Sequence, residues 1–359
     1  MQSAGAGTLR SAVAPEGPRV SVVIPTYNRA ELLLRALRSV LRAIAPGDEV
    51  VVVDDGSTDA TRHRLAGLEG PIRYYRTEQR GAGHARNAGI ERASHDWIAF
   101  LDSDDEWLPD HLDLHRTVLG RLPVLFTFGN FDIVEDDNPG IGRRSMQLAS
   151  WTGDRRSWDE ILGPPTRYEQ LAPLPRGRAP FTVHVGSLYR AMLSASYVPT
   201  CTVLVRRDAA GEALRFSEDL PTYEDYECYI RLARAGRAAY LDCSTAVNHG
   251  HSGPRLCRVD KLTAATVSIR IFERNWGQDT AFLARDGQAY AASLLQHQRS
   301  RILNLALQGR TREARLELRG LPSASWKVRL LSRLPGPAAR LVGQSYQRAR
   351  VALSGAGRG

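Results

Sequence analysis

Lysine is almost missing from this 359-residue chain: only Lys261 and Lys327 occur, so arginine carries nearly all of the formal charge of +9. Such a balance suits nucleic acid, anionic lipid or a phosphorylated substrate, and the distribution of the charge must decide among them. Cysteine is scarce as well. Cys201, Cys228, Cys243 and Cys257 lie far apart with no C-x-x-C pair, which excludes a zinc knuckle or a disulfide scaffold and fits a reducing cytoplasm. No apolar run approaches the roughly 18 to 20 residues of a membrane-spanning helix. Met1 to Gly17 is rich in Ala, Gly and Ser without the apolar centre of a signal peptide, so residues 1–18 read as a loose leader and secretion is not expected. There is no internal repeat. A hydrophobic content of 43% excludes a wholly disordered protein, and the length suits about two domains.

What is present is an alternation. Between Arg19 and Phe131, β-rich runs at 20–25, 49–53, 72–75, 97–101 and 124–128 are separated by helical patterns at 31–44, 58–68, 82–93 and 109–121. Strand and helix in turn imply βαβ units, hence an α/β protein with a mostly parallel, Rossmann-like sheet flanked by helices. Leu34, Leu37, Leu41 and Ile44 share one face of the first helix, which should bury it on that sheet. From 134 to 180 the chain is rich in Pro, Gly, Arg and Trp without lasting periodicity, a length at which loops are functional or disordered. Regular patterns resume at Cys201 to Val205, Tyr223 to Ala235 and Ala238 to Asp242, and from Val259 onward they are helical and arginine-rich. The expected division is a catalytic domain over 19–255, with halves 19–131 and 132–255, and a basic helical extension over 256–359.

The chemistry gathers at strand ends. Trp97-Ile98-Ala99-Phe100-Leu101 runs into Asp102-Ser103-Asp104-Asp105, and ligands of open α/β sheets bind outside the carboxyl ends of strands. Carboxylate oxygens suit Mg²⁺ or Mn²⁺, which share one or two acids with substrate phosphates, so a metal-bridged nucleotide diphosphate is the leading reading; a solvated turn capping the helix near Pro109 is the other. The second strand ends in Asp54-Asp55-Gly56-Ser57-Thr58-Asp59, where Asp55 is placed to accept from a base or ribose and Ser57 or Asp59 to cap the next helix. The first ends in Pro25-Thr26-Tyr27-Asn28: proline stops the ladder, Tyr27 offers a face for a base, and Asn28 with Glu31 reads first as a helix cap. In Gly81-Ala82-Gly83-His84-Ala85-Arg86-Asn87-Ala88-Gly89, backbone N–H groups and Arg86 are placed for phosphate, while Ala85 and Ala88 permit close helix packing and His84 belongs to the helix start.

In the order Pro25-Thr26-Tyr27-Asn28, Asp54-Asp55-Gly56-Ser57, Ala85-Arg86-Asn87-Ala88-Gly89 and Asp102-Ser103-Asp104-Asp105, these motifs closely resemble family 2 glycosyltransferases of the GT-A fold. The likeness is dense from Val20 to Trp107 and returns from Tyr223-Glu224-Asp225 to Gly236. It implies inverting transfer of a sugar from a nucleotide diphosphate, UDP above all, to a polysaccharide, lipid-linked glycan or small-molecule acceptor. Carried over, Asp55 contacts the base, Asp102, Ser103 and Asp104 meet ribose and the metal-bound diphosphate, and Asp225 is the general base, with Glu224 its neighbour. His249, or failing it His251, is implied at metal or phosphate. Such a transfer needs a carboxylate to take the acceptor's proton and a cation to stabilise the departing diphosphate. Asp225 opens the helical pattern Tyr226, Tyr229, Ile230, Ala233, a position that equally suits a plain capping acid.

Two alternatives stand beside this one. A nucleotidyltransferase would carry a Gly-rich basic loop after the first strand, where this chain has Pro-Thr-Tyr-Asn. A non-catalytic nucleotide-sugar-binding scaffold at a membrane surface would use the C-terminal region, where Arg329, Arg333, Arg340, Arg348 and Arg350 accompany Leu330, Leu331, Leu334, Leu341 and Val342. That pattern fits peripheral contact with an anionic membrane or a solvated helix packed on the domain. No nucleic-acid module is present.

Overall fold

Runs of Val and Ile with no polar interruption make strands that tolerate burial on both faces, as a parallel sheet covered by helices requires. The computed structural model describes residues 17–138, 140, 142–250, 259–321 and 326–345. His251, Cys257, Arg348, Arg350 and nearly all of the leader lie outside the described residues.

The chain forms two compact units. The first comprises residues 1–188, 197–215 and 232–251. It opens with β1 (Val20–Thr26), α1 (Ala30–Ala43), β2 (Glu49–Asp54), α2 (Thr61–Leu65), β3 (Ile72–Arg76), α3 (Ala82–Arg92) and β4 (Trp97–Phe100). Then come β5 (Glu106–Trp107), α4 (His111–Arg121), β6 (Phe126–Glu135), β7 (Arg144–Ser145), α5 (Leu148–Thr152), α6 (Trp158–Leu162) and β8 (Thr166–Arg167). It continues with β9 (Thr182–Gly186), β10 (Leu204–Arg206), α7 (Arg207–Ala210), the end of α8 (Glu224–Ala235) and β11 (Ala238–Gly250). All the strands join one mixed, mostly parallel sheet in the order β3-β2-β1-β4-β10-β6-β11-β9-β8, with β5 on β11 and β7 on β6. β3, β2, β1 and β4 run parallel; β10 lies antiparallel between β4 and β6, so β6 and its parallel partner β11 run the same way as the first four.

Alternate residues serve opposite faces. Val20, Val22, Ile24, Val50 and Val52 pack with Leu33, Leu37 and Val40 of α1, while Val51 and Val53 meet Ala85 and Ala88 of α3. The small residues of α3 let it lie almost on the strands: a Cβ added at Gly89 would sit 2.3 Å from Val23 Cγ1.

The helix expected over 58–68 shrinks to α2: Asp59 accepts from Thr61 N–H at its first residue, while the N–H groups of Thr58 and Asp59 are tied into a loop with Asn28. Asn28 takes the left-handed conformation (φ 50°), which Asn tolerates, and does not cap α1. Its Oδ1 accepts from the Thr58 and Asp59 N–H groups, its own N–H donates to Ser57 Oγ, and Asp59 accepts from Ala30 N–H at the start of α1. The first-turn donor of one helix is thus satisfied from a neighbouring loop.

The second unit comprises residues 189–196, 216–231 and the described part of 252–359. It holds most of α8 with α9 (Lys261–Arg274), α10 (Thr280–Leu307), α11 (Thr311–Arg319) and α12 (Trp326–Arg333), followed by helix at 336–345. Trp276 stacks on Tyr189 and meets Phe272, while Ile302, Leu305 and Ala306 of α10 pack with Ala314 of α11 and Val328 of α12. Among the described residues no helix is long and apolar enough to cross a membrane.

Candidate active site

The carboxyl edge of the sheet gathers the strand-end motifs. At β1 the proline falls where its missing donor costs nothing. Val23 O accepts from Leu101 N–H on the β4 side, pairing with β4 ends there, and Pro25 faces that side beyond the last bond. The Thr26 carbonyl is not free for a ligand, since it accepts from Asp55 N–H at 2.9 Å; the ring of Tyr27 beyond it is 38% exposed.

Both acids at the carboxyl end of β2, Asp54 and the following Asp55, accept from backbone N–H groups. Asp54 accepts from Ser57 N–H and the Tyr74 hydroxyl. Asp55 takes Arg80 N–H on Oδ1 and Gly81 N–H on Oδ2, each at 2.8 Å, clamping the loop that leads into α3. Each of its oxygens keeps a second lone pair for a ligand.

The acid loop after β4 is matched by arginines. Buried Arg86 of α3 meets Asp102 Oδ1 at 2.7 Å, and Arg29 meets Asp104 Oδ2 at 2.9 Å. Arg35 of α1 donates to the Asp104 carbonyl and to Asp136. Asp105 is fully buried; burial, followed by the charges of Asp104 and Asp102, drives its carboxyl well above the usual range, against donation from the Asn248 side chain and His249 N–H. The Asp102 side chain is the open member, 32% exposed, with Asp104 at 7%.

His249 stands beside this loop between two other acids. Its Nδ1 is 2.7 Å from Asp136 Oδ1, and its Nε2 lies 2.9 Å from Glu106 Oε1 without hydrogen-bond alignment. Burial raises the Asp136 carboxyl, but bonds to His249 and Arg35 outweigh it and hold the group below its ordinary value. Arg29, Arg35, Glu106 and Asp136 were not legible as site residues from strand-end motifs. The only local hint was the adjacency of Arg29 and Glu106 to those motifs.

Among the described residues no group of three or more His, Cys, Asp or Glu side chains converges as a metal cage. The donor set nonetheless fits Mg²⁺ or Mn²⁺, because a hard ion that keeps its waters and binds diphosphate needs only one or two carboxylates. Asp102 and Asp104 are the pair that would hold it.

In the second unit, Asp225 is the second residue of α8, and its Oδ1 accepts from Tyr226 N–H at 2.7 Å. The preceding Tyr223 has φ 62°, a strained conformation for an aromatic residue of the kind that clusters at functional sites. Glu224 and Glu227 are buried; Glu227 meets Ser217, Arg231 and Arg274.

A mixed, mostly parallel sheet with paired acids at the carboxyl edge of its inner strands is the architecture of the GT-A fold. TarS 1–349 of S. aureus, solved in complex with UDP-GlcNAc, shares that fold at a TM-score of 0.51 and 16% identity, each chain covered over 92%. So does a mannosyltransferase from Pyrobaculum calidifontis, solved in complex with GDP-Man and Mn²⁺, at a TM-score of 0.50 and 18% identity over 94% of this chain and 84% of that one. Residues 21–197 match the Glycosyl transferase family 2 model. The succinoglycan biosynthesis protein ExoO of Rhizobium meliloti is 32% identical over 292 residues, which span 79% of this chain and 73% of that protein. The chain belongs to glycosyltransferase family 2, and the nucleotidyltransferase alternative is set aside.

Proposed function

We propose that this glycosyltransferase moves a sugar from a nucleotide diphosphate, UDP in the first instance, to a saccharide hydroxyl with inversion at the anomeric carbon, in the assembly of a polysaccharide. The observation that carries the reading is the Asp102 and Asp104 pair at the end of β4, faced by Arg86 and Arg29. The fold neighbour's UDP-GlcNAc and the relative's part in succinoglycan biosynthesis support the choice of donor and product.

In this reading Tyr27 lies against the base and Asp55 accepts from it. Asp102 and Asp104 would hold a divalent ion, which when bound would supply charge stabilisation to the departing diphosphate. Arg86 and Arg29 are the chain's own cations at that point, suited to phosphate oxygens by their planar forks. Asp225 takes the acceptor hydroxyl's proton as that oxygen bonds to the anomeric carbon. The bond from that carbon to the diphosphate oxygen breaks, and the electron pair leaves with the nucleotide. The N-terminus of α8 favours the ionised, basic form of Asp225. His249 braces the acid loop from behind through Asp136 and Glu106.

Asp225→Asn tests this assignment. Expected are unchanged binding of UDP and a fall in transfer of about 10²-fold or more, the usual worth of a general base. Unchanged transfer would remove Asp225 from the role, whereas UDP binding with no transfer in the parent chain, across a panel of UDP-sugars and saccharide acceptors, would favour the scaffold.

For the C-terminal region we propose contact with an anionic membrane surface. Trp326, Leu330, Leu341 and Val342 are exposed, at 69%, 54%, 64% and 44%, and are interleaved with Arg329, Arg333 and Arg340. Buried apolar area plus about 1 kcal/mol per basic residue near the surface is the energetics of such attachment. Flotation with vesicles containing phosphatidylglycerol should recover the chain, and vesicles of phosphatidylcholine alone should not. Equal or no recovery from the two would end the idea.

A further inference from the structure

The segment between β6 and β9 joins residues of β6, β11 and the stretch before β10 in a second constellation, different in chemistry from the acid loop. Asn130, Phe131, Trp151, Trp158, Tyr197 and Tyr240 line a shallow cleft that is partly open to solvent, and none of the residues lining it bears a formal charge. The Trp151 indole is 44% exposed and stands edge-on to Phe131, with ring centres 5.1 Å apart and planes at 83°. Deeper in, Trp158 stacks on Tyr240 at 3.9 Å and 24°. Polar groups frame these rings: Asn130 is fixed by Ser145 Oγ and the Met146 carbonyl, and the Tyr197 hydroxyl sits between Asp154 and Arg156.

Register fixes where the cleft lies. Leu204 of β10 is opposite Ala99 of β4 on one side and Thr127 of β6 on the other, so those two residues stand at one height. Three residues further on are Asp102, just past the end of β4, and Asn130, still within β6, which runs the same way. They reach the same edge of the sheet, two strands apart, a separation of about 10 Å at the usual strand spacing. Pro199 lines the cleft, and two residues later the Cys201 carbonyl accepts from the Trp107 indole directly after the acid loop.

We propose that this cleft seats a pyranose ring of the acceptor saccharide, its C–H face against the Trp151 indole. The inference rests on the glycosyl-transfer reading and names where the acceptor binds. The donor is anionic and belongs with the arginines of the acid loop. A lining of aromatic rings with a few fixed polar groups and no charge suits instead an uncharged ring that is apolar on its faces and polar at its rim. The separation from Asp102 leaves room for the donor's sugar between them, which sets the acceptor beside the donor rather than on it.

The test is titration of the full chain with methyl β-D-glucopyranoside, methyl β-D-galactopyranoside and methyl α-D-mannopyranoside, followed by saturation-transfer NMR and calorimetry, on the parent, Trp151→Ala and Trp151→Phe. UDP binding and thermal midpoint are measured on the same samples. At least one glycoside should bind the parent. Trp151→Ala should weaken it by about tenfold, equivalent to ~1.4 kcal/mol, and Trp151→Phe by less than about threefold. UDP binding should be equal in all three. Undiminished affinity in Trp151→Ala overturns the proposal, as does a parent that binds none of the glycosides. Loss of glycoside binding accompanied by an equal loss in Trp151→Phe and a lowered thermal midpoint would assign Trp151 to packing alone. Failure of UDP to bind the parent would count against the donor reading and leaves the glycoside comparison to be judged on its own result.

Discussion

The two edges of the one sheet treat the same residue types differently. At the amino edge, Asp48 and Arg116 pair at 2.8 Å with side chains 1% and 5% exposed, and Asp48 also accepts from Val20 and Ala45 N–H groups. Beside it Glu49 collects Ser21, Arg73 and Ser94. At the carboxyl edge Asp102 and Arg29 pair with partners yet keep 32% and 24% of their side chains in solvent. Acid and arginine closed off from water hold the fold together; acid and arginine left half open can exchange one partner for another.

The largest expected effect is at the closed edge. Asp48→Ala orphans a buried guanidinium and two backbone donors and should cost about 3–5 kcal/mol, because breaking a buried pair leaves an uncompensated charge. Chemical denaturation measures it, and a loss below about 1 kcal/mol would show that water reaches Arg116. At the open edge the double change Asp102→Asn with Asp104→Asn should cost clearly less stability than Asp48→Ala, because the amide oxygens still accept from Arg86 and Arg29 and one member of each pair is open to water. It should lower transfer by about 10²-fold, ~2.7 kcal/mol of barrier, and abolish any stabilisation by UDP-sugar that depends on Mn²⁺. A collapse of the thermal midpoint in that variant would erase the contrast between the edges.

The smallest effect sharpens the comparison through pH. Burial raises the Glu49 carboxyl, but bonds from Ser21, Ser94 N–H and Arg73, with the charge of Arg73, outweigh it and bring it from 4.5 to about 2. The folded value lies below the unfolded one, so this stabilisation is complete above pH 4.5 and disappears as pH falls toward about 2. Glu49→Gln should flatten stability across that window while leaving the neutral-pH activity unchanged. An acid-unfolding curve of unaltered slope would contradict it.

Much of this architecture could be read ahead of the coordinates where the signal is local. Val22 to Ile24, Val50 to Val53 and Trp97 to Leu101 are apolar runs stopped by proline or acids, and their ends are where the site residues gather. The reading was shorter than the molecule at β6 and β11. They were expected to end at Phe128 and Asp242 and extend to Glu135 and Gly250, because their parallel ladder resumes beyond register shifts at 241–246 and holds both to the end. Asp132, Glu135 and Asn248 do not look like strand residues alone; a partner strand makes them so. The expected helix at 58–68 begins only at Thr61, where Asp59 accepts from its N–H, because Thr58 and Asp59 are held by Asn28 in a loop that no local pattern announces.

Hydrophobic periodicity and turn chemistry act over a handful of residues, so the sequence by itself determined the alternating strands and helices, the family and the acids at the strand ends. Only the tertiary structure decided which arginine meets which acid, that His249 lies between Asp136 and Glu106, and that Asn130, Trp151 and Tyr240 share a cleft. Those pairings span tens of residues along the chain. Charge and aromatic contacts at such separations leave no local pattern, and they form only once strand register has brought their backbones to one edge.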